Sequence, residues 1–146
     1  MAYNNIEAVL SPTQQQEIIA QIQAMKESMP FLVSLSTKEK HSGRRTHNYH
    51  SFRSNALEMA SYNQELLPPS QPYSAWAKDE ELLQSLTPIL QALNIFRETL
   101  EDTILALRME SQKSSMNFLR LARMASAANV PGTDTIVKRL EEAMGK

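Results

Sequence analysis

An all-α fold, an antiparallel up-and-down four-helix bundle with a short linker turn and a short C-terminal helix, is predicted by three observations. Glycine occurs only at positions 43, 132 and 145, while Leu, Ala, Gln, Glu and Met dominate, as helix propensity favours. Apolar residues recur over long stretches at alternating spacings of three and four, the period of a helix face rather than of a strand. Proline and capping residues punctuate those stretches, so that short links join helices of ordinary length.

The first helix is announced by Ser11, Pro12 and Gln14, which supply an N-cap, a proline at the first helical position and the glutamine of a capping box. Ile18, Ile22, Met25 and Met29 form its stripe, and Pro30 ends it. An apolar link follows, FLVSLSTKEK, in which Ser36 and Glu39 can cap a single short turn. The second helix is expected to start between Arg44 and His47, with Tyr49, Phe52, Ala56, Met59, Asn63 and Leu66 as its seam. Pro68, Pro69 and Pro72 then make a stiff connection.

The third helix is expected from about Ser74 to Leu107, where Leu82, Leu86, Ile89, Leu93, Phe96, Leu100, Thr103 and Leu107 hold heptad spacing. The stripe keeps phase across Pro88, which predicts a kink on the outward side and not a break. A turn is expected around RMESQ, because an uninterrupted helix through both segments would be far longer than the usual three or four turns. The fourth helix, about Glu110 to Asn129, has Ser115, Phe118, Ala122 and Ala125 as its seam. Val130, Pro131 and Gly132 stop it, and Thr133 or Asp134 is expected to cap a last helix carrying Ile136, Val137, Leu140 and Met144. Packed near 20°, four such stripes would bury one seam each within a single domain over residues 1–146.

Three stretches, PFLVSLSTKEKHSG, NQELLPPSQP and AANVPGTDTIVKRL, resemble a family of short, uncharacterised bacterial four-helix-bundle proteins. They are structural punctuation: an apolar entry, a small capped turn and a basic residue before glycine in the first, and links in the others. The resemblance implies the bundle and carries over no catalytic residue, ligand or cofactor.

Composition narrows the function classes. Apolar residues make up 42% and charged residues 21%, ordinary for a globular domain, and no apolar run approaches the roughly 20 residues that span a bilayer. The opening MAYNNIEAVLSPTQQQE lacks the basic and continuous apolar regions of a signal peptide, and there is no cysteine, so a cytoplasmic location is expected. A net charge of -1 gives no global argument for nucleic acid.

The three histidines, His41, His47 and His50, share residues 38–53 with five Lys or Arg. His47 and His50, three apart, can present two imidazoles to one metal, but both are expected to point into solvent opposite the Tyr49 and Phe52 seam. No Glu-x-x-His motif exists for a di-iron centre, and no Gly-rich loop or strained nucleophile turn marks catalysis. No cofactor is expected, and the chain is read as non-enzymatic.

Basic charge is the better candidate. Lys38, Lys40, Arg44, Arg45 and Arg53, joined by Arg120 and Arg123, could bind nucleic acid or another anion, and Tyr49 and Phe52 could stack on bases. The simpler expectation is complementary charge between helices, since residues 78–102 carry six acids and two bases, with the two aromatics in the core. The favoured function is therefore protein–protein interaction or scaffolding by a homodimer or with another protein. Its interface is expected on the wide apolar arc of Met109, Met116, Leu119, Leu121 and Met124, unless the last helix folds back over that arc within one chain.

Overall fold

The computed structural model describes residues 6–145, and among them there is no strand. The α-helices are α1 (Pro12–Glu27), α2 (Thr37–Gly43), α3 (His50–Tyr62), α4 (Tyr73–Ala127) and α5 (Thr133–Ala143), with 3-10 turns at Arg44–Tyr49 and Gln64–Leu66. Two compact units divide the chain: residues 8–91, and residues 92–145 with residues 6 and 7. The division falls inside α4.

In the first unit, α1 starts as its sequence predicts. The Ser11 backbone N–H donates to Gln14 Oε1 at 3.0 Å, and the Gln14 N–H donates back to Ser11 Oγ at 3.2 Å. The second capping box, Ser36 with Glu39, builds the seven-residue α2. Ser36 donates to the Glu39 carboxylate from its backbone N–H at 2.8 Å and from Oγ at 2.6 Å, and these bonds hold the Glu39 carboxyl below its ordinary range.

The stretch from Arg44 to Tyr49 was expected to open the second helix and instead forms a 3-10 turn, with α3 beginning at His50. Thr46 Oγ1 donates to the Gly43 carbonyl at 2.7 Å and an Arg53 Nη donates to the Thr46 carbonyl at 2.7 Å, so local side-chain bonds compete with the α-helical ladder there. The expected seam of this helix is also out of phase. Tyr49 and Phe52 are exposed and meet edge to face, 6.4 Å between centroids, and Met59 and Leu66 are exposed as well. The half-buried line runs through Arg53, Ala56, Leu57 and Ala60, and at the head of α4 through Tyr73, Trp76, Ala77 and Glu80. An Arg53–Glu80 contact ties the two lines, the apolar stem of the arginine serving as a buried residue while its head finds the acid.

The largest correction concerns the turn expected around RMESQ. α4 is one helix of 55 residues, and the segments expected as third and fourth helices are its two parts. Between Pro88 and Pro131 there is neither glycine nor proline. The stripe there does not stop but steps by four from Thr103 to Leu107, to Ser111 and to Ser115 before alternation resumes. Such a stutter shifts the phase of an apolar face without breaking a backbone hydrogen bond. Pro88 likewise lies inside the helix without ending it.

In the second unit, α4 ends in a Schellman turn. The Val130 N–H donates to the Ala125 carbonyl at 3.0 Å and the Asn129 N–H to the Ser126 carbonyl at 2.9 Å, with Asn129 in the left-handed region at φ 58°. Gly132 (φ 83°) caps α5, a position expected for Thr133 or Asp134. Arg123 of α4 donates to Glu141 of α5 at 2.6 and 3.0 Å, and Ser126 donates to Asp134. Leu119 and Ala122, the buried apolar residues of this unit, share the face of Arg123 and Ser126 at helical spacing, which places α5 over them.

The apolar stripes themselves face water. Ile18, Ile22 and Met25 of α1 are exposed, and so are Leu82, Ile89, Leu93, Phe96, Leu100 and Leu107 of α4. No α4 residue from Thr87 to Leu105 is even half-buried.

Candidate functional site

The first unit holds a groove of about 560 Å³, lined by His47, His50, Arg53, Glu80, Leu83, Gln84, Thr87, Pro88, Leu90 and Gln91. The 3-10 turn and the first turn of α3 carry the histidines and the arginine, and α4 carries the rest. Glu80 is 5% exposed, the one buried charged residue among those described. Its Oε2 lies 3.8 Å from Arg53 Nε, and neither that nitrogen nor Glu80 Oε1 has a hydrogen-bond partner. Pro88 offers no N–H to the Gln84 carbonyl, which adds a freed acceptor to the helix wall of this groove.

His47 and His50 are exposed, as expected, but for a different reason. They are not opposite a buried aromatic seam; Tyr49 and Phe52 are outside too. The two histidines line the groove that contains Glu80. Among the described residues no three His, Asp or Glu side chains are gathered as a metal site. Ser85, Thr87, Thr99, Thr103 and Ser115 each donate to the carbonyl four residues back, at 2.8 to 2.9 Å.

The basic residues named from sequence divide into groups. Arg53 is engaged by Glu80 and Thr46, and Arg123 by Glu141. Lys38, Lys40, Arg44 and Arg45 are exposed in the first unit, as are Tyr49 and Phe52, whose rings pair edge to face. Arg120 is exposed in the second, where one Nη lies 3.7 Å from Met124 Sδ.

Of the arc expected as an interface, Met109, Met116, Leu121 and Met124 are exposed while Leu119 is 3% exposed. The last helix therefore folds back over one edge of the arc, at Leu119, and leaves the methionines outside. Met116, Leu119, Arg120, Arg123 and Met124 line a shallow depression there.

Glu80 escaped the sequence reading, although Trp76, Glu80, Leu83 and Thr87 repeat at helical spacing and so mark a second face of α4 beside the heptad stripe. No family model matches the chain, and neither a curated protein nor a solved structure does. No helix among the described residues is long and apolar enough to cross a membrane.

Proposed function

We propose that this chain is a non-catalytic interaction or scaffolding module that self-associates through α4. One observation carries the reading. From Thr87 to Leu105 every residue of α4 is exposed, and that stretch includes Ile89, Leu90, Leu93, Ile95, Phe96, Leu100, Ile104 and Leu105. Ile89, Leu93, Phe96, Leu100 and Ile104 share one face of the helix at 100° per residue, and at about 25 cal/mol per Å² such a surface is costly to leave in water, which suits an interface. The four-helix bundle expected from the stripes, and implied by the family resemblance, then belongs to the assembled protein, in which apolar faces of α1 and α4 close on those of other copies. Light scattering at micromolar concentration tests the reading: a dimer or larger closed assembly is expected, and a monomer mass overturns it.

A second reading rests on the exposure of Tyr49 and Phe52 amid Lys38, Lys40, Arg44 and Arg45. Rings free to stack and cations free of partners suit single-stranded nucleic acid. Weak binding that fades as salt rises is expected, since the net charge is near zero. Filter binding of an RNA or DNA oligomer at physiological salt, compared with Arg44→Ala/Arg45→Ala, measures it.

A further inference from the structure

We infer that the groove between the start of α3 and α4 binds a small planar primary carboxamide, a neutral ligand whose polar end meets Arg53, Glu80 and Gln84. The site needs no second copy. Three polar groups in its walls lack partners. Glu80 Oε1 is an acceptor on a side chain that is 6% exposed, and Arg53 Nε is a donor 3.8 Å from the other carboxylate oxygen, too far for a hydrogen bond. The Gln84 carbonyl is the third, freed because Pro88, inside α4, has no N–H to give it. Buried polar atoms are nearly always paired, and an unpaired one costs free energy until a ligand or water reaches it.

The kinds of group left over set the kind of ligand. Two acceptors and one donor are complemented by the two N–H groups and the single carbonyl oxygen of a primary carboxamide. Glu80 and Gln84 are four residues apart, so their acceptors lie on one face of α4 a turn from each other, with Arg53 approaching from α3. Charge excludes the chemical relatives of the amide. An ammonium ion would satisfy the acceptors but set a second cation beside Arg53, and a carboxylate would satisfy Arg53 but set a second anion beside Glu80. The Arg53–Glu80 pair sums to zero, so a neutral ligand leaves no buried charge uncompensated. Its entry breaks no existing bond: Arg53 keeps its donation to the Thr46 carbonyl at 2.7 Å, and Arg53 and Glu80 are already apart.

The rest of the groove suits the body of such a molecule. Glu80 is buried, whereas Leu83 and Leu90 are 44% and 60% exposed, so the polar groups form the floor and the leucines the rim. Its volume, about 560 Å³, falls within the roughly 300 to 1,000 Å³ of small-molecule sites. Pro88 and the imidazoles of His47 and His50 add compact, flat surfaces against which a planar ring packs.

Benzamide is the probe, titrated into the full chain at fixed pH and followed through the imidazole proton signals. The chain has three histidines, of which His47 and His50 line the groove and His41 does not, so His41 is an internal control. Saturable shifts of the His47 and His50 signals are expected with His41 unmoved, and benzoate and benzylamine should bind several-fold more weakly. No saturation, the sign that water alone fills the groove, or equal binding of all three compounds would overturn the inference. Pro88→Ala separates ligand binding from folding: it returns an N–H to the Gln84 carbonyl and keeps the helix, yet benzamide affinity should fall several-fold. Arg53→Met with Glu80→Leu removes both charges together, so that no lone buried charge remains, and should abolish the preference for amide over acid and amine. Benzamide affinity unchanged in both variants would mean that apolar contact alone holds the ring, and would overturn the assignment.

Discussion

At the scale of single residues, the least expected is Glu80. A carboxylate that is 5% exposed normally has a close partner, yet its arginine stands 3.8 Å away and one oxygen has none. Removing one member of such a pair costs more than removing both, because the survivor keeps the desolvation penalty. Arg53→Met is expected to destabilise the chain by about 2 kcal/mol, below the roughly 3 to 5 kcal/mol of breaking a fully buried pair because Arg53 is itself partly exposed. Arg53→Met with Glu80→Leu should regain most of that loss. Urea denaturation of Arg53→Met, Glu80→Leu and the double variant closes the cycle, and equal losses for Arg53→Met and the double variant would refute the account.

At the scale of elements, a turn near Arg108 and a continuous α4 make opposite demands on position 112. Proline is welcome at a turn, but inside a helix it deletes a hydrogen bond and clashes with the preceding carbonyl, at a cost of about 3 kcal/mol. Gln112→Pro is expected to lower stability by that amount and Gln112→Ala to leave it nearly unchanged, as urea melts followed by circular dichroism will show. The elements whose boundaries rest on local chemistry were legible in the sequence: Ser11 with Gln14 and Ser36 with Glu39 act within four residues of themselves. The continuity of α4 was not, because an expectation of ordinary helix length outweighed the plain absence of Gly and Pro after Pro88. The phase of α3 was misread for another reason. Tyr49 and Phe52 outrank Arg53 and Ala60 on any apolar scale, but the snorkelling arginine and small alanine occupy the half-buried line. The same error hid the groove, since the histidines were judged against a seam that is not buried and Glu80 was not singled out among the acids of residues 78–102.

At the scale of the whole molecule, the pattern is a chain rich in apolar residues of which Leu119 and Ala122 are the buried apolar members among those described. Burial within one chain then contributes modestly, and under the self-association proposed above association supplies the rest of the free energy that keeps these helices ordered. The expected outcome is a melting temperature that rises with protein concentration; for the dimer, scanning calorimetry over a hundredfold range should show it plainly. A melting temperature independent of concentration would place the stabilising contacts within one chain.

The scarcity of contacts between distant parts of the chain also bears on how fast order appears. Among the described residues the polar ties beyond local capping and the helical ladders include the Ile6 N–H to Glu110 at 3.2 Å, Arg53 with Glu80, Arg123 with Glu141 and Ser126 with Asp134. Helices need no remote partner to close a hydrogen bond, and each new residue in them forms within nanoseconds once a turn exists. Under the self-association proposed above, the slow event is then encounter. A freshly made chain would reach its helices early and wait, apolar faces bare, for a collision whose frequency grows with the square of its abundance. Dilution would stretch that exposed interval, and crowding of nascent copies on neighbouring ribosomes would shorten it.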